Sequence, residues 1–75
     1  MEENDVVKLK RNLPKYRLKK GETGTIIFLP SGDNVREVQV EFSDKTGRPY
    51  ATEFIKVEDL EIVWPNKSHR RRKEI

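Results

Sequence analysis

The chain has no cysteine, and its one histidine, His69, stands in a stretch without apolar residues. The first absence excludes a disulfide framework, a thiolate metal site and a cysteine nucleophile, so stability has to come from packing or from a partner. The second leaves no imidazole in the apolar part of the chain for a Ser-His-Asp arrangement, and no companion ligands for a metal. Long apolar runs are missing as well. The longest uncharged one, Ile26-Ile27-Phe28-Leu29, is far shorter than the ~20 residues of a membrane helix. The acidic start Met1-Glu2-Glu3-Asn4-Asp5 has neither the basic region nor the apolar region of a signal peptide. These absences set the expectation of a cytoplasmic, bacterial-type domain that contacts no membrane and holds neither metal nor cofactor.

At 75 residues and 33% hydrophobic content against 39% charged, the chain encloses one core at most, so a two-domain enzyme is excluded. Of its apolar residues, all but Met1 and Ile75 lie between Val6 and Trp64. The expected domain therefore spans residues 1–64. Residues 66–74 contain nothing apolar and cannot offset their own ordering entropy, which predicts a disordered basic tail over 65–75.

The formal charge of +3 divides unevenly. Residues 1–63 hold 11 basic and 12 acidic side chains, and residues 64–75 hold 5 basic and 1 acidic. Within the body, Lys8, Lys10, Arg11, Lys15, Arg17, Lys19 and Lys20 follow one another with no acid among them, whereas 33–61 is mostly acidic. The predicted surface is polarised, a property that bears on encounter more than on fold.

Helix-period segments are absent, and period-2 alternation bounded by Gly, Pro, Asn and Asp predicts short strands. The first runs from Asp5 to Lys10, with Val7 and Leu9 on one face. After a connection over Arg11 to Thr23, the second covers Thr25 to Leu29 and is apolar enough to be central or strongly bent. The third points Val38, Val40 and Phe42 inward. Ser43-Asp44-Lys45-Thr46-Gly47 then suits a tight hairpin into a fourth strand, Pro49 to Lys56. That strand alternates Tyr50, Thr52 and Phe54 against Ala51, Glu53 and Ile55. A single 3₁₀ turn over Val57-Glu58-Asp59-Leu60 precedes the last strand, Ile62-Val63-Trp64. Five strands in this order predict an all-β, SH3-like barrel whose closure removes exposed edges. Ile62 and Trp64 share a face and are expected in the core.

Several segments resemble a known family: Asp5-Val6-Val7 with Leu9, Leu13-Pro14 with Tyr16, Leu18-Lys19-Lys20-Gly21-Glu22 followed by Gly24-Thr25-Ile26-Ile27, Val40-Glu41-Phe42 with Asp44, Gly47-Arg48, and Glu58-Asp59-Leu60. In that order and spacing they are similar to the small bacterial proteins grouped as domain of unknown function 4926. The resemblance covers residues 5–63 and implies an SH3-like barrel. It implies no activity. The residues around Asp33-Asn34-Val35-Arg36 and the basic tail depart from the pattern.

No catalytic constellation emerges. Gly21-Glu22-Thr23-Gly24 lacks the glycine count, the Lys-Ser/Thr ending and the following helix of a phosphate loop. It reads as a diverging turn in which glycine supplies positive φ and lets strands approach. Carboxylate pairs such as Glu58-Asp59 read as solvated or capping groups. The candidate binding residues are Lys8, Lys10, Arg11, Lys15, Tyr16, Arg17, Lys19 and Lys20, with Arg70, Arg71, Arg72 and Lys73 in the tail. Cations around an aromatic suit a phosphate backbone, through counterion release and base stacking. The other reading has Tyr16 and Leu18 covering the core while the lysines keep the protein soluble. The expectation is a non-enzymatic module that binds and modulates a partner protein, with nonspecific nucleic-acid binding as the alternative.

Overall fold

The computed structural model describes residues 1–64, the last of them by its backbone alone. Five antiparallel strands form one sheet: β1 (Val6–Leu9), β2 (Thr23–Phe28), β3 (Glu37–Ser43), β4 (Pro49–Lys56) and β5 (Leu60–Trp64), in the spatial order β4-β3-β2-β1-β5. The all-β, five-stranded expectation holds. β2 is central as its continuous apolarity suggested, and a register shift between Ile26 and Phe28 bends it.

β4 and β5 lie at opposite ends of this order and do not pair, so among the described residues the sheet is open rather than hydrogen-bonded into a closed cylinder. It is nevertheless curled. Four strand spacings in a flat sheet would separate β4 from β5 by about 19 Å. The chain crosses from Lys56 to Leu60 through a 3₁₀ turn, Val57–Asp59, and even fully extended those steps reach only about 14 Å. The short crossover thus forces the two edges together around the core. Contrary to the expectation of a closed barrel, β4 and β5 both remain edges among the described residues, because proximity is not pairing.

Among the described residues nine side chains make the core: Val7, Leu9, Leu18, Ile26, Val38, Val40, Phe42, Ile55 and Leu60. Each strand contributes from one face only, as period-2 geometry requires. On β3 the inward set is the expected one. On β4 the buried member is Ile55, which lies opposite Val38, while Phe54 and Tyr50 turn outward. Ile62 is exposed, contrary to the core expectation, and the side chain of Trp64 lies outside the described residues.

Two details position the surface. The hairpin after β3 is held by Asp44, whose Oδ1 accepts hydrogen bonds from the Thr46 backbone N–H at 2.9 Å, the Thr46 hydroxyl at 2.7 Å and the Arg48 N–H at 3.0 Å. Those donors, the Thr46 hydroxyl foremost, hold its carboxyl below the usual range. The β1–β2 connection contains a second, unexpected 3₁₀ turn, Pro14–Tyr16. Proline at its start presets the first φ. The turn closes with Leu13 and Leu18 bridged to each other, which sends Leu18 into the core.

Candidate interaction surface

The β1–β2 connection folds down toward the end of β4 and leaves a cleft of about 300 Å³. One wall is Arg11, Leu13, Pro14, Lys15 and Tyr16; the other is Glu37, Phe54, Lys56 and Asp59. Arg11 is committed within it. Its guanidinium grips Asp59, with Nε donating to Oδ1 at 2.8 Å and a second nitrogen donating to Oδ2 at 3.2 Å. Asp59 is only 6% exposed, so the pair fastens the loop to the crossover turn. The hydrogen bond from Arg11 and the charge of Asp59 raise the guanidinium pKa further above its already high value.

Tyr16 is half-buried and packs on the core cluster, with the Lys15 ammonium 5.3 Å from its ring centroid. That geometry fits a covering role for Tyr16 better than a free stacking platform. Lys8 faces outward from β1, 4.0 Å from Glu61, and does not line the cleft. Lys10, Arg17, Lys19 and Lys20 are exposed on the same connection, and none has an ion-pair partner among the described residues. The cleft therefore gathers Arg11, Lys15 and Tyr16 from the candidate set and leaves Lys10, Arg17, Lys19 and Lys20 around the loop and Lys8 on β1. Arg70, Arg71, Arg72 and Lys73 lie outside the described residues.

Beside the cleft lies a feature that the sequence reading missed. Phe28 and Phe54 are 46% and 44% exposed, and their rings meet edge to face with centroids 6.3 Å apart. Both are registered on Gln39, so the rings lean toward each other across β3. With Ile27 they form an apolar patch on the outer face of β2 and β4. The hairpin alone does not announce it: unbroken pairing outward from Ser43 and Pro49 would set Phe54 beside Val38, and only the register shift between Phe42 and Ser43 puts Ile55 there and Phe54 outside.

At the other end of β4, Glu22 joins the loop to the sheet. Its Oε2 accepts the Lys19 N–H at 2.6 Å and its Oε1 accepts the Tyr50 hydroxyl at 2.5 Å. This bond and partial desolvation push the Tyr50 phenol up to about 12. Because the folded protein favours the neutral phenol, the resulting stability is complete below the unfolded value of about 10 and is lost as pH rises toward the folded one. A tyrosinate absorbance titration is expected to show Tyr50 ionising near 12, and Glu22→Ala to bring it back toward about 10. A native Tyr50 that ionises fully at the ordinary value would refute the Glu22 contact.

Among the described residues no group of His, Cys, Asp and Glu is placed to hold a metal ion, and no helix is long and apolar enough to cross a membrane. A family model described as "Domain of unknown function (DUF4926)" matches residues 3–62. Neither a curated protein nor a solved structure matches the chain.

Proposed function

Since the chain belongs to the DUF4926 family, whose description assigns no activity, we propose from its own surface that it is a non-enzymatic module that binds a partner protein. The carrying observation is the Phe28–Phe54 ring pair held in the open beside the cleft. A small domain with so few apolar residues gains stability by burying aromatics, and clustered exposed ones mark interaction sites. The cleft continues the patch, with Lys15, Lys56 and Glu37 as a charged rim around an aromatic floor. That arrangement follows the core-and-rim pattern of protein interfaces. On this reading the module works in a bacterial cytoplasm.

The second reading, nonspecific nucleic-acid binding, is favoured by Lys10, Arg17, Lys19 and Lys20, which have no ion-pair partner among the described residues. It is weakened by the commitment of Arg11 to Asp59 and of Tyr16 to the core. Affinity capture from the native lysate separates the two. Tagged protein is expected to retain one protein in stoichiometric amount, and the exposed double substitution Phe28→Ser/Phe54→Ser is expected to cut that retention by about tenfold or more without altering the fold. Recovery of nucleic acid alone, lost steeply with salt and indifferent to the double substitution, would replace the first reading with the second.

A further inference from the structure

β4 is the longest strand of the sheet and lies at its edge. Among the described residues no strand pairs with its far side, and apart from the β3 ladder no backbone hydrogen bond from another described segment reaches residues 49–56. Its outer face carries Tyr50, Thr52 and Phe54 in alternation, with Tyr50 51% exposed. Unpaired edge groups beside exposed aromatics form a template for another strand. We infer that the occupant is a second copy of this chain, with β4 pairing antiparallel to its twin about a two-fold axis at Thr52.

Strand geometry and charge select that register. Around a two-fold axis normal to the sheet, outward residues can face only outward residues, so the axis must pass through a residue position. An axis at Glu53 would set the two Glu53 carboxylates directly opposite each other, which is unfavourable. An axis at Phe54 would pair only residues 52–56 and would lay each inward, half-buried Glu53 against the apolar Ile55. An axis at Thr52 pairs residues 49–55, sets Thr52 against Thr52, and brings Tyr50 of each copy opposite Phe54 of the other. The hydroxyl pair is a favourable one, and Tyr50 and Phe54, while keeping their contacts to Glu22 and Phe28, set apolar surface on either side of it. Glu53 then faces Ala51, a small residue beside which its chain can reach solvent. Pro49, which has no N–H to donate, falls at the end of the ladder, where strands tolerate it.

The two-fold arrangement closes on itself, so it uses up this edge without propagating a fibre. A single strand pair buries less than the ~800 Å² per partner of standard interfaces. Association is therefore concentration-dependent rather than permanent.

The absence of cysteine makes the test direct. Thr52→Cys introduces the only thiol of the chain. Paired residues of antiparallel strands have Cα atoms about 4.5–5.5 Å apart, inside the range a disulfide spans. Under mild oxidation Thr52→Cys is expected to crosslink at least about tenfold faster than Asp33→Cys, an exposed turn position away from the edge. Sedimentation of the unmodified protein should show a mass rising with concentration from 8.9 kDa toward twice that value. Thr52→Lys, which sets two cations opposite each other on the axis, should hold it at the single-chain mass with its circular dichroism unchanged. Equal crosslinking at the two positions, or a native mass that stays single up to about 1 mM, would overturn the inference.

Discussion

Gly24→Ala is expected to lower the stability of the fold by about 3 kcal/mol, the upper part of the range for overpacking a core. Gly24 does not have a positive φ, so the cost is one of contact alone. A Cβ at this position would lie 2.7 Å from the Glu41 carbonyl oxygen, 2.7 Å from Val40 Cγ1 and 3.0 Å from Phe42 Cδ1. None of these can yield cheaply. The carbonyl belongs to a backbone registered in the β2–β3 ladder, and Val40 and Phe42 are fully buried. For a domain of this size such a loss lowers the melting midpoint by roughly 12–24 °C, readable in a thermal or urea transition. A shift within experimental scatter would mean that β2 and β3 can separate at Gly24 without breaking their ladder.

Phe42→Ala should be more damaging still, at about 3–5 kcal/mol. The Phe42 ring is the largest of the fully buried side chains, and it sits in register between Gly24 on β2 and Ala51 on β4. Small residues on both sides leave the space that this one ring fills. After truncation neither neighbour has a side chain long enough to reach into the void, so collapse cannot relieve it. Net stability at this length is roughly 4–11 kcal/mol, so the variant should lose a large part of it and melt roughly 12–40 °C lower. The two substitutions share a contact and should not add: Gly24→Ala/Phe42→Ala is expected to cost less than the sum, because the new methyl enters the space the ring vacates. Strict additivity in urea unfolding would show that Phe42 does not occupy that space.

The diverging turn shows how far local reading reaches. Gly21 and Gly24 were separable in principle, since one supplies positive φ, at 93°, and the other a close approach. Both needs follow from a chain that must turn and then enter a tightly packed sheet. The Asp44–Gly47 hairpin was equally local, because Asp44 captures donors no more than four residues away. The interaction surface was less legible. Seven cations without an acid suggested one coherent face, yet Arg11 is committed to Asp59, which lies 48 positions further along the chain. Lys8 has turned toward Glu61 on β5, away from the cleft. No pattern within 8–20 announces either partner.

By itself the sequence determined an all-β domain with five strands, the inward face of β3, the hairpin and the turn glycines. Each depends on alternation or backbone preference over a few residues. Tertiary structure decided which face of β4 is buried, since that strand carries apolar residues on both faces and only its pairing with Val38 commits Ile55 inward and Phe54 outward. It also decided that the sheet curls without hydrogen-bonding its edges together, because the short crossover from Lys56 to Leu60 constrains distance but not pairing. The exposed aromatic pair and the open edge of β4 follow from those two choices, which depend on residues far apart in the chain.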